Sequence, residues 1–279
     1  MAVNLIGVLH PGEMGAGIGG ALIEAGQAVT WASDGRGPAS VRRATSAKLV
    51  DVGSVEAMTH RCQLIISICP PTNAMDVANA VAGFGGVYLD ANAIAPATAR
   101  RVADVIEGAG GRYVDGGIIG GPPTPRYGPR LYLSGPAAAE VGELFAGTTV
   151  EARVMSDDPT AASAIKMCFA AWTKGTSALL LGIRALAIAE GVEAPLLGEW
   201  ATSMPELDRR SLVAGQQAAT KGWRWVGEME EIAAAFRSAG LPDGFHLAAA
   251  DVFTRPDRDE QGAADPATLR TVLEALQPL

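Results

Sequence analysis

Residues 7–15 read GVLHPGEMG, a glycine-containing loop between two segments of different character. The apolar run Asn4–Leu9 predicts a β-strand, and the alanine-rich segment Gly15–Ala25 predicts a helix. A glycine-rich turn at the first strand–helix junction of a βαβ unit is where a dinucleotide pyrophosphate binds. The loop therefore predicts a dinucleotide-binding Rossmann domain at the N-terminus of the chain.

The loop departs from the usual glycine fingerprint at its first position. His10 stands where the first glycine belongs, and Pro11 disfavours helical backbone angles at His10. Gly12 still lets the backbone approach a pyrophosphate, Gly15 still lets helix and strand pack closely, and the helix N-terminus offers unpaired N–H groups. The alternative is a turn with a structural role alone. We expect contacts to the cofactor from His10, Pro11, Gly12, Glu13, Met14 and Gly15.

The residues at the end of the second predicted strand bear on which dinucleotide is preferred. A carboxylate there binds the ribose hydroxyls of NAD, whereas a hydroxyl and an arginine bind the extra phosphate of NADP. Here Ser33 stands at the end of the strand, and Asp34 lies slightly beyond the position expected for that carboxylate. Arg36 is followed by further arginines. This pattern favours NADP over NAD, with Ser33 and Arg36 as contacts. The alternative is a plain Asp34-Gly35 turn with solvated arginines.

Composition restricts the class of protein. The chain has 279 residues, of which 48% are hydrophobic and 19% charged, so a disordered or fibrous chain is excluded. The net charge of -8 argues against a nucleic-acid surface. Three cysteines cannot build a disulfide framework, three scattered histidines predict no metal site, and no apolar run reaches the length of a membrane span. We expect a cytoplasmic protein whose partners are small molecules or copies of itself.

The first half of the chain alternates short β-branched runs with helical segments, which is typical of a parallel sheet covered by helices. Strands are predicted at Asn4–Leu9, Ala28–Ala32, Leu64–Ile68, Val87–Leu89, Arg112–Asp115 and Arg130–Ser134. Helices are predicted near Gly15–Ala25, Ser54–Arg61, Ala74–Val81 and Ala97–Gly108. The fold class is therefore α/β, with a Rossmann domain over residues 1–156 and an all-α domain over residues 157–279.

The second domain is predicted to begin with one long apolar helix. Asp157-Asp158-Pro159 has the acidic cap and first-turn proline of a helix start. Apolar residues then recur at helical spacing from Ile165 to Ala187, which predicts a buried helix. Further helices are expected around Leu196–Met204, Arg210–Gly240 and Phe245–Phe253, followed by a polar tail and a short last helix.

Several motifs in this order resemble those of the β-hydroxyacid dehydrogenase and 6-phosphogluconate dehydrogenase superfamily. The resemblance covers nearly the whole chain and rests on Met14-Gly15, Cys69-Pro70-Pro71, Asp90–Pro96, Asp115–Gly121 and Lys166. It implies cofactor contacts from Cys69, Pro70, Pro71 and Asn92. It also implies a cleft between two domains and a homodimer formed through the helical domain. The second half looks like a divergent branch whose reactions are mostly unassigned.

The departures from the superfamily pattern limit what the resemblance implies about substrate. Ile119 replaces the serine before the paired glycines, Asn92-Ala93 replaces Ser-Thr, and Phe169-Ala170 replaces the asparagine pair after the lysine. Gly120 and Gly121 remain and would offer hydrogen-bond donors to a substrate. Asn92 would act beside them in catalysis, or it is an ordinary turn residue.

Lys166 matches the catalytic lysine of the superfamily. It lies on the apolar face of the long helix, where desolvation penalises the charged form of a lysine and suits it to proton transfer. Its role would be to give a proton or hydrogen bond to the heteroatom that gains charge during hydride transfer. The alternative is a lysine that extends from a buried stem to the surface. No metal is expected to take part.

A polar stripe on the Arg210–Gly240 helix contains Lys221, Arg224 and Glu228. An Arg224–Glu228 pair within the helix is one interpretation. The other makes the stripe a wall of the substrate cleft, supplied by a partner subunit, with Arg224 and Lys174 as substrate contacts. The main hypothesis is an NADP-dependent oxidoreductase acting on a small carbonyl or hydroxyacid compound. An imine reductase and a non-catalytic NADP-binding sensor are the alternatives.

Overall fold

The computed structural model describes residues 5–277. The chain divides between Met167 and Cys168 into two compact units. The first unit contains a sheet covered by helices, and the second unit is helical. The α/β class and the Rossmann-type first half are confirmed. The predicted domain limits of 1–156 and 157–279 stay a prediction.

One eight-stranded sheet, in the order β3-β2-β1-β4-β5-β6-β7-β8, organises the first unit. The strand order reverses between β1 and β4, and a ligand of an open α/β sheet binds at the carboxyl ends of strands beside such a switch point. The strands are β1 Leu5–Val8, β2 Ala28–Trp31, β3 Val50–Asp51, β4 Leu64–Ser67, β5 Val87–Asp90, β6 Arg112–Ile119, β7 Arg130–Ser134 and β8 Glu151–Val154.

Within the described residues 5–277, six α-helices and one 3₁₀ turn connect these strands. They are α1 Glu13–Glu24, α2 Pro38–Ser46, α3 Val55–Arg61, α4 Ala74–Ala80, α5 Pro96–Gly108, α6 Ala138–Glu143 and the turn Pro71–Asn73. Two buried apolar clusters, one containing Ile6 and Val8 and the other containing Leu9 and Ile65, form the core. Because β4 and β5 are buried along their whole length, each is apolar or aromatic up to its polar last residue, Ser67 in β4 and Asp90 in β5.

The sheet is parallel, as predicted, from β3 to β6, and it departs from that prediction at β7. β7 runs antiparallel to β6, and β8 pairs parallel with β7. β8 and the two-residue strand β3 were not predicted, because edge strands that are largely exposed carry no apolar run. The helices α2 and α6 were also missed. A single buried residue in α2 explains the weak signal of that helix.

The helices of the second half are α7 Ala161–Ala189, α8 Glu193–Ser203, α9 Glu206–Ser238, α10 Gly244–Thr254 and α11 Pro266–Ala275. Both α10 and α11 pack on α9. The helix predicted to start at Asp157-Asp158-Pro159 begins just after this segment, at Ala161, and the Asp158 carboxylate accepts a 2.9 Å bond from the Thr160 N–H in the turn before it. Among residues 5–277, no helix is both long enough and apolar enough to cross a membrane.

The prediction that α7 is buried holds for only one of its faces in the single chain. Trp172 is 68% exposed and Leu186 is 60% exposed, whereas Leu181 and Met167 are buried. The apolar residues of α7 thus divide between a buried face and a face left to solvent in the described part of the chain.

Candidate functional site

The predicted cofactor loop lies at the end of β1, next to the switch point of the sheet. Gly12 is the N-cap of α1, and its N–H donates to the His10 carbonyl at 2.8 Å. A Cβ on Gly12 would meet no atom of residues 5–277 within 4 Å, so the backbone there is open to a ligand. A Cβ on Gly15 would collide with the His10 carbonyl oxygen. This geometry fits the two predicted roles, in which Gly12 leaves the backbone open to a pyrophosphate and Gly15 lets the helix pack closely.

His10 and Arg36 are brought close together at this end of the sheet. The Nδ1 atom of His10 and the Nε atom of Arg36 are buried, and neither has a hydrogen-bond partner among the described residues. Burial, followed by the positive charge of Arg36, lowers the pKa of His10 to about 4. His10 is therefore neutral near pH 7. Sequence reasoning identified both residues but not their proximity.

The end of β2 holds Ser33, Asp34 and Arg36 in a turn in which the Arg36 N–H donates to the Ser33 carbonyl at 2.9 Å. Asp34 is exposed, and Arg36 is half-buried. The carboxylate of Asp51, at the end of β3, accepts from the Ser33 N–H at 3.2 Å. The Arg43 guanidinium donates to the Pro11 carbonyl at 3.0 Å and so ties α2 to the cofactor loop. Sequence reasoning missed Asp51 because β3 itself was missed.

Asn92 links the ends of β4 and β5. Its side chain is buried; its Oδ1 accepts from the Cys69 N–H at 2.6 Å, and its Nδ2 donates to the Ser67 hydroxyl at 3.1 Å. The Asn92 amide thereby holds the Cys69-Pro70-Pro71 turn against the sheet. Burial raises the pKa of the Cys69 thiol to about 12, so this cysteine is a neutral thiol at pH 7.

Two buried carboxyl groups face each other on adjacent strands. Asp90 of β5 and Asp115 of β6 are register partners, and both are almost inaccessible to solvent. Burial is the main cause that raises the pKa of Asp90 to about 7 and that of Asp115 to about 6. Sequence reasoning quoted both aspartates as family motifs but gave them no role.

The side chain of Lys166, from α7, is bonded to strand β6, and the paired glycines follow that strand. The Lys166 Nζ donates to the Ile118 carbonyl at 2.8 Å, and the lysine side chain is half-buried. Gly120 and Gly121 lie in an exposed loop just beyond β6. Gly120 has a φ of 127°, which L side chains rarely adopt, and the Gly121 N–H donates to the Tyr127 hydroxyl at 3.3 Å.

Lys174 and Arg224 belong to the second unit. Lys174 forms a largely buried ion pair with Glu228, and its Nζ lies 5.5 Å from the centroid of the Trp225 ring. The Arg224 guanidinium lies 5.5 Å from the centroid of the Trp223 ring, and Lys221 is exposed. Glu228 thus pairs with Lys174 across two helices, and the sequence spacing did not predict this pair. The roles of Lys174 and Arg224 toward a substrate stay predictions.

The strand order, the open N-terminus of α1 and the loop at the switch point define a dinucleotide-binding Rossmann unit. Residues 4–145 match the model of the NAD-binding domain of 6-phosphogluconate dehydrogenase. The chain belongs to this family and is a hydroxyacid-dehydrogenase-like oxidoreductase that uses a dinucleotide. Residues 187–255 match a domain of unknown function, DUF1932. No protein with a curated function matches the chain.

Solved structures of similar fold cover almost the whole chain. The conserved protein MTH1747 of unknown function, described as similar to 3-hydroxyacid dehydrogenases, has a TM-score of 0.66 and 25% identity over 90% of this chain and 96% of its own. Mycobacterium tuberculosis 3-hydroxyisobutyrate dehydrogenase with L-serine has a TM-score of 0.72 and 15% identity, covering 99% and 100%. A reductive aminase from Aspergillus terreus, in complex with NADPH4, cyclohexanone and allyl amine, has a TM-score of 0.57 and 20% identity, covering 99% and 100%. The last two similarities concern the fold alone.

Proposed function

We propose that the protein is an NADP-dependent oxidoreductase that transfers hydride between the nicotinamide and a small carbonyl or hydroxyacid substrate. The observation that carries this proposal is the fixed position of Lys166, whose ammonium group is bound to the Ile118 carbonyl near the carboxyl end of β6. A lysine held in this way is a ready proton donor to a heteroatom that gains negative charge.

The residues at the switch point fit a dinucleotide. Gly12 leaves the backbone open, and the N-terminus of α1 presents N–H groups to a pyrophosphate. His10 Nδ1 and Arg36 Nε, both buried and without a hydrogen-bond partner within residues 5–277, are polar groups that a bound ligand would satisfy. When bound, the nicotinamide supplies or accepts the hydride. The chain residues that would hold the dinucleotide are His10, Pro11, Gly12, Glu13, Met14, Gly15, Ser33, Arg36, Cys69, Pro70, Pro71 and Asn92.

Arg36 supports NADP over NAD. The half-buried guanidinium of Arg36 stands at the end of β2, whereas Asp34 is directed to solvent. An arginine at this place binds a 2′-phosphate, and a carboxylate would bind the ribose hydroxyls. The neutral state of His10 lets it accept or donate one hydrogen bond beside Arg36 without adding a second positive charge.

During carbonyl reduction, Lys166 would donate a proton or hydrogen bond to the oxygen that becomes the hydroxyl, and in the reverse direction it would accept that proton. Asn92 would assist by fixing the Cys69-Pro70-Pro71 turn beside the nicotinamide. Gly120 and Gly121 would contribute backbone groups to the substrate pocket, because their loop is exposed just beyond β6. We retain Gly120 and Gly121 as proposed substrate contacts.

Imine reduction is a second candidate function. Phe169-Ala170 stands where the superfamily has an asparagine pair, so the polar groups that assist a hydroxyacid are missing after Lys166. The reductive aminase of similar fold is described with NADPH, a ketone and an amine.

One screen separates these candidates. Aldehydes, keto acids and cyclic imines are tested for NADPH oxidation with the wild-type protein and with Lys166→Ala. We expect turnover of one substrate class and a fall of about 100-fold in kcat for Lys166→Ala. An unchanged rate in the variant would remove Lys166 from the mechanism, and the absence of turnover on every substrate would refute both proposed reactions.

A homodimer formed through the helical half accounts for the exposed face of α7. Trp172, Leu179 and Leu186 of α7 and Phe245 of α10 are exposed, and a groove of about 490 Å³ with mostly apolar walls lies between α7 and α10. Exposed apolar patches of this kind mark association surfaces. Sedimentation equilibrium should give a dimer for the wild type and a monomer for Leu186→Glu. A monomeric wild type would refute the dimer.

A further inference from the structure

Asp115 connects the strand that ends at the paired glycines with the helix that carries Lys166. Its Oδ2 accepts from the Ser163 N–H at 2.7 Å, and its Oδ1 accepts from the Ser163 hydroxyl at 2.6 Å. The Ser134 hydroxyl donates to Asp115 Oδ2 at 3.3 Å and accepts from the Ala162 N–H at 3.0 Å. The first turn of α7 is therefore bound to β6 and β7 through one buried carboxyl group.

The backbone of α7 approaches β6 as closely as a glycine allows. A Cβ on Gly117 would overlap the Ala162 carbonyl oxygen and would lie 3.2 Å from the Cβ of Lys166. Ser163 and Lys166 are three residues apart and so lie on one side of the helix. On that side, Ser163 is bonded to Asp115 and Lys166 to the carbonyl of Ile118. Asp115 and Ile118 belong to the same strand.

We propose that Asp115 is a positioning residue for Lys166. Its carboxyl oxygens bind the first turn of α7, Gly117 sets the distance between strand and helix, and the Lys166 ammonium is thereby held at the Ile118 carbonyl. This inference rests on the proposed role of Lys166 and adds the group that fixes the lysine in place.

The physical basis is the short, rigid path between the two side chains. A misplacement of a catalytic group by about 1 Å can lower a rate by about 100-fold. In Asp115→Asn, one carboxylate oxygen becomes an NH2 group. An NH2 group in the place of Oδ2 would oppose the Ser163 N–H, whereas one in the place of Oδ1 would turn the Ser163 hydroxyl from donor to acceptor, so either placement changes the bonds to the first turn of α7.

Lysine-selective NMR tests the positioning without any need for turnover. The chain has four lysines, Lys48, Lys166, Lys174 and Lys221, so side-chain labelling gives four resolvable signals, which substitution of each lysine assigns. We expect Asp115→Asn and Gly117→Ala to shift the Lys166 signal and to leave the Lys48 signal in place. Ser54→Ala is the matched control, because Ser54 caps α3 in the same unit and its loss weakens a different helix start. An unmoved Lys166 signal in folded Asp115→Asn would overturn the proposal.

A kinetic cycle gives the second test, on any substrate that the wild type turns over. Asp115→Asn should lower kcat by roughly 10- to 100-fold and leave the Kd of NADPH unchanged. The same substitution should have no further effect in the Lys166→Ala background, because the group that it positions is absent. Equal losses in both backgrounds would show a general structural role and refute the positioning role. If Lys166→Ala itself keeps full activity, the proposed catalytic role of Lys166 fails, while the NMR result still shows whether Asp115 holds the Lys166 side chain in place.

Discussion

Substitution of Asp90 by asparagine should change the pH dependence of stability. Asp90 is 1% exposed; its Oδ1 accepts from the Asn92 N–H at 2.9 Å, and its Oδ2 is buried without a partner among the described residues. Burial is the main cause that raises its pKa from 3.8 to about 7. The folded protein therefore retains this proton up to about pH 7, whereas the unfolded chain releases it near pH 4.

The sign and size of the effect follow from this difference. Between the two pKa values the unfolded chain binds fewer protons, so the free energy of unfolding falls as pH rises. A pKa difference of about three corresponds to roughly 4 kcal/mol, as an order of magnitude. Asp115 adds a loss of the same sign, because its pKa is also raised. The lowered pKa of His10 has the opposite effect, because below pH 6.5 it makes the free energy of unfolding rise with pH.

Urea unfolding at about pH 4.5 and about pH 8 measures the effect. Between about pH 4.5 and about pH 8 the free energy of unfolding of the wild type should fall by several kcal/mol more than that of Asp90→Asn, because asparagine cannot ionise. Asp104→Asn is the control, since Asp104 is an exposed aspartate of the same unit. If Asp90→Asn and the wild type lose the same stability on going to the higher pH, the account of Asp90 as a protonated buried acid is refuted.

Two further substitutions probe the cofactor loop and the second unit. Gly15→Ala should cost about 1–3 kcal/mol of stability, because the added Cβ collides with the His10 carbonyl, whereas Gly12→Ala should cost less than about 1 kcal/mol yet weaken NADPH binding. Thermal unfolding measures the stability of the two variants, and fluorescence titration measures their NADPH binding. Equal losses of stability would contradict the different roles given to Gly12 and Gly15. Lys174→Met should lower the free energy of unfolding by up to about 3 kcal/mol, because Glu228 loses its ion-pair partner Lys174. The double variant Lys174→Met with Glu228→Gln should recover most of that stability in urea unfolding. If it recovers none, the loss does not come from the broken ion pair.

Much of the first unit could be predicted because its central strands are buried on both faces. Short, largely apolar runs with clear boundaries form β1, β4 and β5. The glycine loop then indicates the order of strand, turn and helix. β3 and β8 could not be predicted, because exposed edge strands lack an apolar pattern. The direction of β7 also escaped prediction, because pairing partners are set by the whole sheet and not by local sequence.

The residues of the candidate site could be predicted, but the hydrogen bonds between them could not. The resemblance identified Lys166 and Asn92, yet local sequence does not reveal that Asn92 is bonded to Ser67 and Cys69. The link from Asp115 to Ser163 joins residues 48 positions apart, and no spacing rule predicts it. The exposure of Trp172 was missed because an apolar helix face looks the same in sequence whether its partner is the same chain or a second copy.

The central claim is that the switch point binds NADP and that Arg36 selects it. Titration of NADPH and NADH against the wild type and against Arg36→Ala, followed by cofactor fluorescence, tests it most directly. We expect the wild type to bind NADPH at least about tenfold more tightly than NADH, and Arg36→Ala to lose that preference while retaining NADH binding, since one charge-assisted pair is worth about 1.5–3 kcal/mol. Tighter binding of NADH by the wild type, or an unchanged preference in Arg36→Ala, would contradict the claim.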